Sequence, residues 1–202
     1  MTCHDTCLEA AQTRDVETQP AFVPCEFRVK WATAGWERDG ALALRRAVFC
    51  AEQQVFDGDD LDAIDTSGAA QTLVALSMLG GNPDAVAGTV RIHSPEPGLW
   101  WGSRLAVAAP FRQHGRIGAT LIRLAVSSAH AMGCRIFLAH VQGQNEAMFA
   151  RLGWHTLKHV HLHGREHALM QADLDAYPPC FEPWSGYVTR STAVARSAEA
   201  RA

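Results

Sequence analysis

No run of apolar residues in this 202-residue sequence approaches the roughly 20 that a membrane-spanning helix needs. The opening MTCHDTCLEAAQTRDVETQP lacks the basic start and apolar centre of a secretory leader, so a cytoplasmic protein with reduced thiols is expected. Excess positive charge is also missing. Eighteen Lys and Arg against 21 Asp and Glu leave a formal net charge of −3, which argues against a nucleic acid or an anionic membrane as partner. Of the six cysteines, Cys3 and Cys7 lie four apart, and Cys25, Cys50, Cys134 and Cys180 stand alone. Without a Cys-x-x-Cys pair the spacing argues against structural zinc, and no metal is expected. No internal repeat is visible.

What is present fits one domain with a real core, since 48% of the residues are hydrophobic. Residues 1–24 and 181–202 carry no periodicity and read as a disordered N-terminal tail and a flexible C-terminal tail around a domain at 25–180. Within it, CEFRVKWA alternates with period two and reads as a strand. In WERDGALALRRAVFCAEQQVF, Leu44, Ala47, Val48, Ala51 and Val55 fall on one helical face. The strand-like runs QTLVALSML, AVAGTVRIH and LWWGSRLAVAA follow, separated by turn residues, and suggest an antiparallel meander. A helix carries the stripe Ile117, Leu121, Leu124, Ala125, Ser128, Ala129 and Met132, then come a buried strand CRIFLAHV, a short helix NEAMFARLG and a final strand pair. The order βαβββαβαββ implies an α/β (α+β) fold with a mixed, mostly antiparallel sheet and helices on its faces.

Two polar clusters invite a ligand. His159, His161 and His163 alternate with Val160 and Leu162, as on the solvent face of a half-buried strand, and that reading is preferred to a metal site. Asp57, Asp59, Asp60, Asp62 and Asp65 lack the spacing and the closing Glu of a calcium loop. They are expected to attract a cationic amine or to remain solvated.

The stretch FRQHGRIGATLIRLA, residues 111–125, joins an apolar strand to a helix. Unpaired N–H groups and the positive end of the helix dipole make such a junction ready for phosphate. Gly115 and Gly118 remove side chains where a ligand would approach, and Arg112 and Arg116 add charge. Here the sequence resembles the GNAT acyltransferases, whose motif is Arg or Gln, two residues, Gly, one residue, Gly or Ala, and a Leu three positions later. Gln113, Gly118 and Leu121 match it, while Arg116 stands where the first glycine belongs. Further on, LRRAVFCAEQQVFDGDDLD is similar to the Arg-x-x-Val-Phe-x-x-Glu-Gln helix and acidic segment of the ElaA/YjcF-like branch. FARLGWHTL is similar to the Tyr-x-x-x-Gly-Phe segment of the family, and GREHALM to the Gly-x-x-His-x-x-Met that closes this branch. A fainter resemblance is to GNATs of nitrogen-starvation and nitrilase gene clusters.

The resemblance implies a GNAT fold with a splayed strand before the turn, acetyl-CoA as co-substrate, an amine acceptor and room for a homodimer. It implies that Leu105, Ala106 and Val107 hold the pantetheine arm and that the turn from Arg112 through Gln113, His114, Gly115, Arg116, Ile117, Gly118 and Ala119 to Thr120 holds the pyrophosphate, with Asn145 and Phe149 beside the thiol. Val107 N–H is the oxyanion donor by the same analogy. Phe149 occupies the position of the family's acid tyrosine, so that acid is missing or supplied elsewhere. Glu52 is the first candidate base, because partial burial beside the acceptor cleft would raise its pKa, and His93 and His140 follow. His140 is also read as a satisfied core histidine. The expected activity is acetyl transfer to an amine of a small molecule or peptide. The alternatives are a longer acyl donor, or a non-catalytic acyl-CoA-binding or regulatory protein.

Overall fold

The computed structural model describes residues 24–113 and 116–191. Alternating apolar residues build β1 (Glu26–Trp31), whose Phe27 and Val29 are fully buried. Then come α1 (Gly35–Arg45), a wider π-type segment at Arg46–Glu52, and a short α2 (Ala63–Thr66) capped by Asp62. The meander β2 (Gln71–Leu79), β3 (Asn82–Glu96) and β4 (Leu99–Val107) follows, then α3 (Ile117–Ala131). The chain continues through β5 (Ile136–Gln142), α4 (Glu146–Arg151), β6 (Trp154–Leu162) and β7 (Arg165–Ala172), ending in β8 (Tyr187–Arg190).

These strands form a single sheet in the order β6-β7-β5-β4-β3-β2-β1-β8, antiparallel except between β4 and β5. The mixed, mostly antiparallel sheet expected above is therefore observed. It carries α3 on one face, where Leu121, Leu124 and Ala125 pack on Phe27, Leu73 and Ile92, and α1 on the other, where Ala41 meets Val74 and Leu76. The α3 stripe is buried as read, apart from Met132 at the helix end. His159 and His161 lie exposed on β6, and His163 is exposed in the turn just beyond it. No helix among the described residues is long and apolar enough to cross a membrane.

Two expectations need correction. The C-terminal tail cannot begin at 181: Pro183 accepts a hydrogen bond from Trp31 N–H at 2.8 Å, and β8 pairs with β1 from Glu26↔Arg190 to Val29↔Tyr187. The helix after β1 is also not uniform. At the π-type segment Gln53 N–H reaches back to Val48 C=O, and the extra residue per turn rotates Phe49 inward while Ala47 and Ala51 face solvent.

The feature that positions the site is a gap in the sheet. Pairing of β4 with β5 runs from Leu99↔Ile136 to Gly102↔Ala139 and stops, although both strands continue. Against β3, Thr89 faces Ala106 and Arg91 faces Ser103, so a two-residue step on β3 meets a three-residue step on β4. The extra residue is a bulge around Arg104, whose φ is +56°, and bulges bend their strand. The splay implied above is thus built into β4.

Candidate active site

Strand alternation aims the backbone at this gap. Ala108 N–H bonds Ala87 C=O at 2.9 Å, which continues the β3–β4 register and makes Gly88↔Val107 a non-hydrogen-bonded pair. The N–H and C=O of Val107 therefore point away from β3, toward the side where β5 has diverged. Its carbonyl accepts from Arg112 Nε at 3.0 Å. Beyond Val107 the chain makes one 3₁₀ turn, Ala109–Phe111, and enters α3 through Arg116. His114 and Gly115, both expected in the turn, lie outside the described residues.

Arg116 explains its own departure from the motif. Its φ is +51°, the left-handed conformation that glycine adopts without strain, so the backbone follows the glycine path with an arginine in place. It is the N-cap of α3 without a side-chain cap, and the first N–H groups of Ile117, Gly118 and Ala119 have no intrahelical acceptor. A Cβ added at Gly118 would meet only Val107 Cγ2, at 3.8 Å. Packing does not require glycine there, which leaves room for a ligand as its reason. Gln113 and Arg116 are exposed at the rim, and Thr120 Oγ1 is turned back onto Arg116 C=O at 3.1 Å.

A cavity of about 560 Å³ lies at the splay, with lining residues from both faces of the sheet. On the α1 side it is polar and aromatic, with Gln53, Phe56, Arg91, His93, Trp101 and His140 around it. On the α3 side Ile122, Ala125 and Val126 face Phe137 and Ala139 of β5, with Phe149 and Trp154 behind. Trp100 and Trp101 divide between core and cavity, as adjacent strand residues must. Gly102 stands where the strands part, because a Cβ there would come within 3.0 Å of the Phe137 ring.

Electrostatics on the polar side differ from the sequence reading. Asp60, Asp62 and Asp65 do not await a cation. Arg45, 1% exposed at its side chain, bonds Asp60 at 2.8 Å and both oxygens of Asp65 at 2.8 Å, and Arg104 Nε sits 2.8 Å from Asp60. Arg91 grips Asp62 through two bonds of 2.6 and 2.8 Å and lies 2.6 Å from Asp65. Three carboxylates and three guanidiniums balance, so this loop forms a neutral, rigid wall, and only Asp57 and Asp59 remain at the surface.

Glu52 is likewise reassigned. It is half exposed and bound by Arg112 through bonds of 2.7 and 2.6 Å, which hold its carboxyl below the ordinary range rather than above it. The two histidines are better placed. His93 has its Nδ1 buried without a partner, and desolvation, with Arg91 nearby, pushes its pKa down. His140 is exposed rather than in the core, its ring 5.2 Å from Trp101, and burial of part of the ring together with His167 lowers its pKa. Both are neutral near pH 7 and able to accept a proton. Phe149 is 6% exposed and packs edge-to-face on Trp154 at 5.1 Å. The nearby Tyr177 accepts from Trp154 Nε1 at 2.9 Å and donates to Leu152 C=O, so its hydroxyl is already engaged. Asn145, at the start of α4, lines the cavity. Among the described residues no group of three or more His, Cys, Asp or Glu could hold a metal.

The structure thus gathers Leu105, Val107, Asn145, Phe149, His93 and His140 around one gap. It adds Arg91 and Arg104, which sequence reasoning missed because their carboxylate partners are 29 and 44 positions away.

The sequence profile of the acetyltransferase (GNAT) family matches residues 42–154, more than half of the chain. No curated protein matches the sequence. Among solved structures, Escherichia coli ElaA is 17% identical, with 74% of this chain and 99% of that chain covered at a TM-score of 0.60. An acyl-CoA N-acyltransferase from Pseudomonas aeruginosa is 19% identical over 73% and 99%, at 0.59. FeeM, an N-acyl amino acid synthase from uncultured soil microbes, is 13% identical over 76% and 94%, at 0.57. At these identities the likeness is one of fold.

Proposed function

Because the chain belongs to the GNAT acetyltransferase family, we propose that it is an acyl-CoA-dependent N-acyltransferase that acylates an amine of a small molecule or peptide. The observation that carries this reading is the splay of β4 from β5, with Val107 turned into the gap and an uncapped α3 start at Gly118 beyond it. The pyrophosphate would lie on the N–H groups of Ile117, Gly118 and Ala119, where anion binding needs no side chain. Arg112 and Arg116 stand beside it.

Within that geometry an uncharged amine attacks the thioester carbonyl. Val107 N–H meets the oxyanion as it forms, which is the largest electrostatic contribution such a site can make. His93 takes the amine proton directly or through a water. The C–S bond then breaks and CoA leaves as thiolate. No tyrosine hydroxyl waits at position 149 to protonate it, and a thiolate is a stable enough leaving group for the reaction to proceed by positioning. Glu52, committed to Arg112, serves to orient the arginine of the turn.

Phe149 also favours a second reading, an acyl-CoA-binding protein without turnover. Thiol release from acetyl-CoA across a panel of amines, run beside calorimetric titration, separates the two. Amine-dependent release supports the enzyme; binding with no release from any amine supports the binder.

A further inference from the structure

On its α1 side the cavity is walled by rings that stay partly open to solvent. Trp101 of β4 and Phe56, just beyond the π-type segment, are half-buried, and His140 of β5 and His163 in the β6–β7 turn are exposed. We propose that the amine acylated here is a small aromatic one, a primary amino group joined directly or by a short linker to a planar ring that rests against Trp101. This rests on the acyl-transfer reading above and names the acceptor of the same site.

Strand register places such a ring beside the base. His93 on β3 pairs with Trp101 on β4, and cross-strand partners share a face with Cβ atoms about 4.5–5.5 Å apart. On its other side Trp101 pairs with Leu138, so His140, two residues further along β5, points the same way. The rings of Trp101 and His140 lie 5.2 Å apart and inclined at 36° where the strands part, and Phe56 meets His163 edge to face at 5.0 Å. Four separate elements thus bring incompletely covered rings to one cavity, and such rings favour an aromatic partner in offset or edge-on contact. A ring on Trp101 carries its amino group to His93. There the nitrogen lone pair forms the C–N bond to the thioester carbonyl, the amine proton passes to His93, and the C–S bond breaks with its electron pair leaving on CoA as thiolate.

Charge and shape weigh against other acceptors. Among the described residues Asp62 is the one carboxylate lining the cavity, and Arg91 and Arg104 already hold it through bonds of 2.6, 2.8 and 3.2 Å. The guanidinium of Arg104 also sits 4.6 Å over the Phe56 ring, taking a face that could bind a cation. The ammonium groups of a polyamine or a lysine would find no free counter-ion. Arg165 Nη2 donates to Gln53 C=O at 2.6 Å and Gln142 Nε2 to Gln53 Oε1 at 3.0 Å. Together with the Phe56–His163 contact, these bonds tie β5 and the β6–β7 hairpin to the segment after the π-type turn. An extended polypeptide therefore has no open groove across this side, whereas a compact amine needs none.

The test is the initial rate of thiol release by the full chain, with acetyl- or octanoyl-CoA as donor, over 2-phenylethylamine, aniline, 2-cyclohexylethylamine, spermidine and a lysine-containing octapeptide. The better of the two aromatic amines should exceed spermidine and the peptide in kcat/KM at least roughly tenfold, since the latter bring charges that stay unpaired. 2-Phenylethylamine should exceed its saturated counterpart, 2-cyclohexylethylamine, by about 2- to 10-fold, the range of one aromatic pair. In Trp101→Leu that second ratio should fall to about one, and in Trp101→Phe it should be retained. Phe56→Leu should lower it as well, which keeps the inference testable if Trp101→Leu fails to fold. Spermidine or the peptide acylated as fast as the aromatic amines, or an unmoved ratio in folded Trp101→Leu and Phe56→Leu, overturns the aromatic acceptor while leaving acyl transfer intact. Thiol release from none of the amines overturns the acyl-transfer reading and this inference with it.

Discussion

Substituting Gly118 separates the demands of the fold from those of the ligand. In the free chain a Cβ at this position would make one ordinary contact, with Val107 Cγ2 at 3.8 Å, and φ is not in the left-handed region. Gly118 is the second residue of α3, where glycine costs up to about 1 kcal/mol relative to alanine. Gly118→Ala should therefore raise the Tm of the ligand-free protein, by about 2–4 °C if the full amount is realised in a domain of this size. Affinity should move the other way. A hydrogen bond from N–H to a charged phosphate contributes about 1.5–3 kcal/mol, so pushing the pyrophosphate off one such group should weaken acyl-CoA binding about 10- to 100-fold. Gly118→Val places two further methyl groups in the same space and should weaken it more. Scanning calorimetry of the free protein and titration with acyl-CoA read the two effects on one sample. A folded Gly118→Val protein with wild-type affinity, or a Gly118→Ala protein less stable than wild type, would refute the reasoning.

Further outcomes follow from the charges around the gap. His93 is held below its ordinary value of 6.5 by burial and by Arg91, so turnover should be flat near neutrality and fall only below that value. His93→Asn should lower turnover roughly 10²- to 10⁴-fold and abolish this acidic limb in a rate–pH profile. Because the unfolded chain binds these protons more readily than the folded one, the stability that neutral His93 and His140 contribute is complete above about pH 6.5. It is lost as pH falls toward their depressed values, which urea unfolding at stepped pH will read. Glu52→Gln breaks an exposed pair of the kind that contributes at most about 1 kcal/mol. Its turnover should change far less than the ~10²-fold of a lost base, and a larger loss would restore Glu52 to the chemistry. Arg45→Met leaves Asp60 and Asp65 each one partner short in a buried site, which should cost about 3–5 kcal/mol and lower the Tm by roughly 6–20 °C.

The parts legible in the sequence are those whose signal is local. The α3 stripe follows from a period of 3.6, and the α3 turn from glycine and arginine between strand and helix. The parts that were not legible depend on contacts distant in sequence or on a broken period. Nothing in RAVFCAE announces a π-type turn, yet that extra residue decides that Phe49 rather than Ala47 faces the core. The aspartates of DGDDLDAID look solvated until Arg91 and Arg104 arrive from β3 and β4. β8 is only four residues long, too short for alternation to stand out from its surroundings. The gap itself was predicted from the family resemblance alone. Its physical cause, the bulge around Arg104 with φ at +56°, has no sequence signal, because arginine is not a residue that favours that conformation.

Acyl transfer to an amine at the β4–β5 gap is tested most directly by incubating the full chain with acetyl- and octanoyl-CoA and a panel of amines, following free thiol and identifying the product by mass spectrometry. The account predicts thiol release that depends on both protein and amine, one N-acyl amide formed per thiol, and loss of both in His93→Asn. Acyl-CoA that binds yet gives no amide with any amine, or release that His93→Asn leaves untouched, would contradict it.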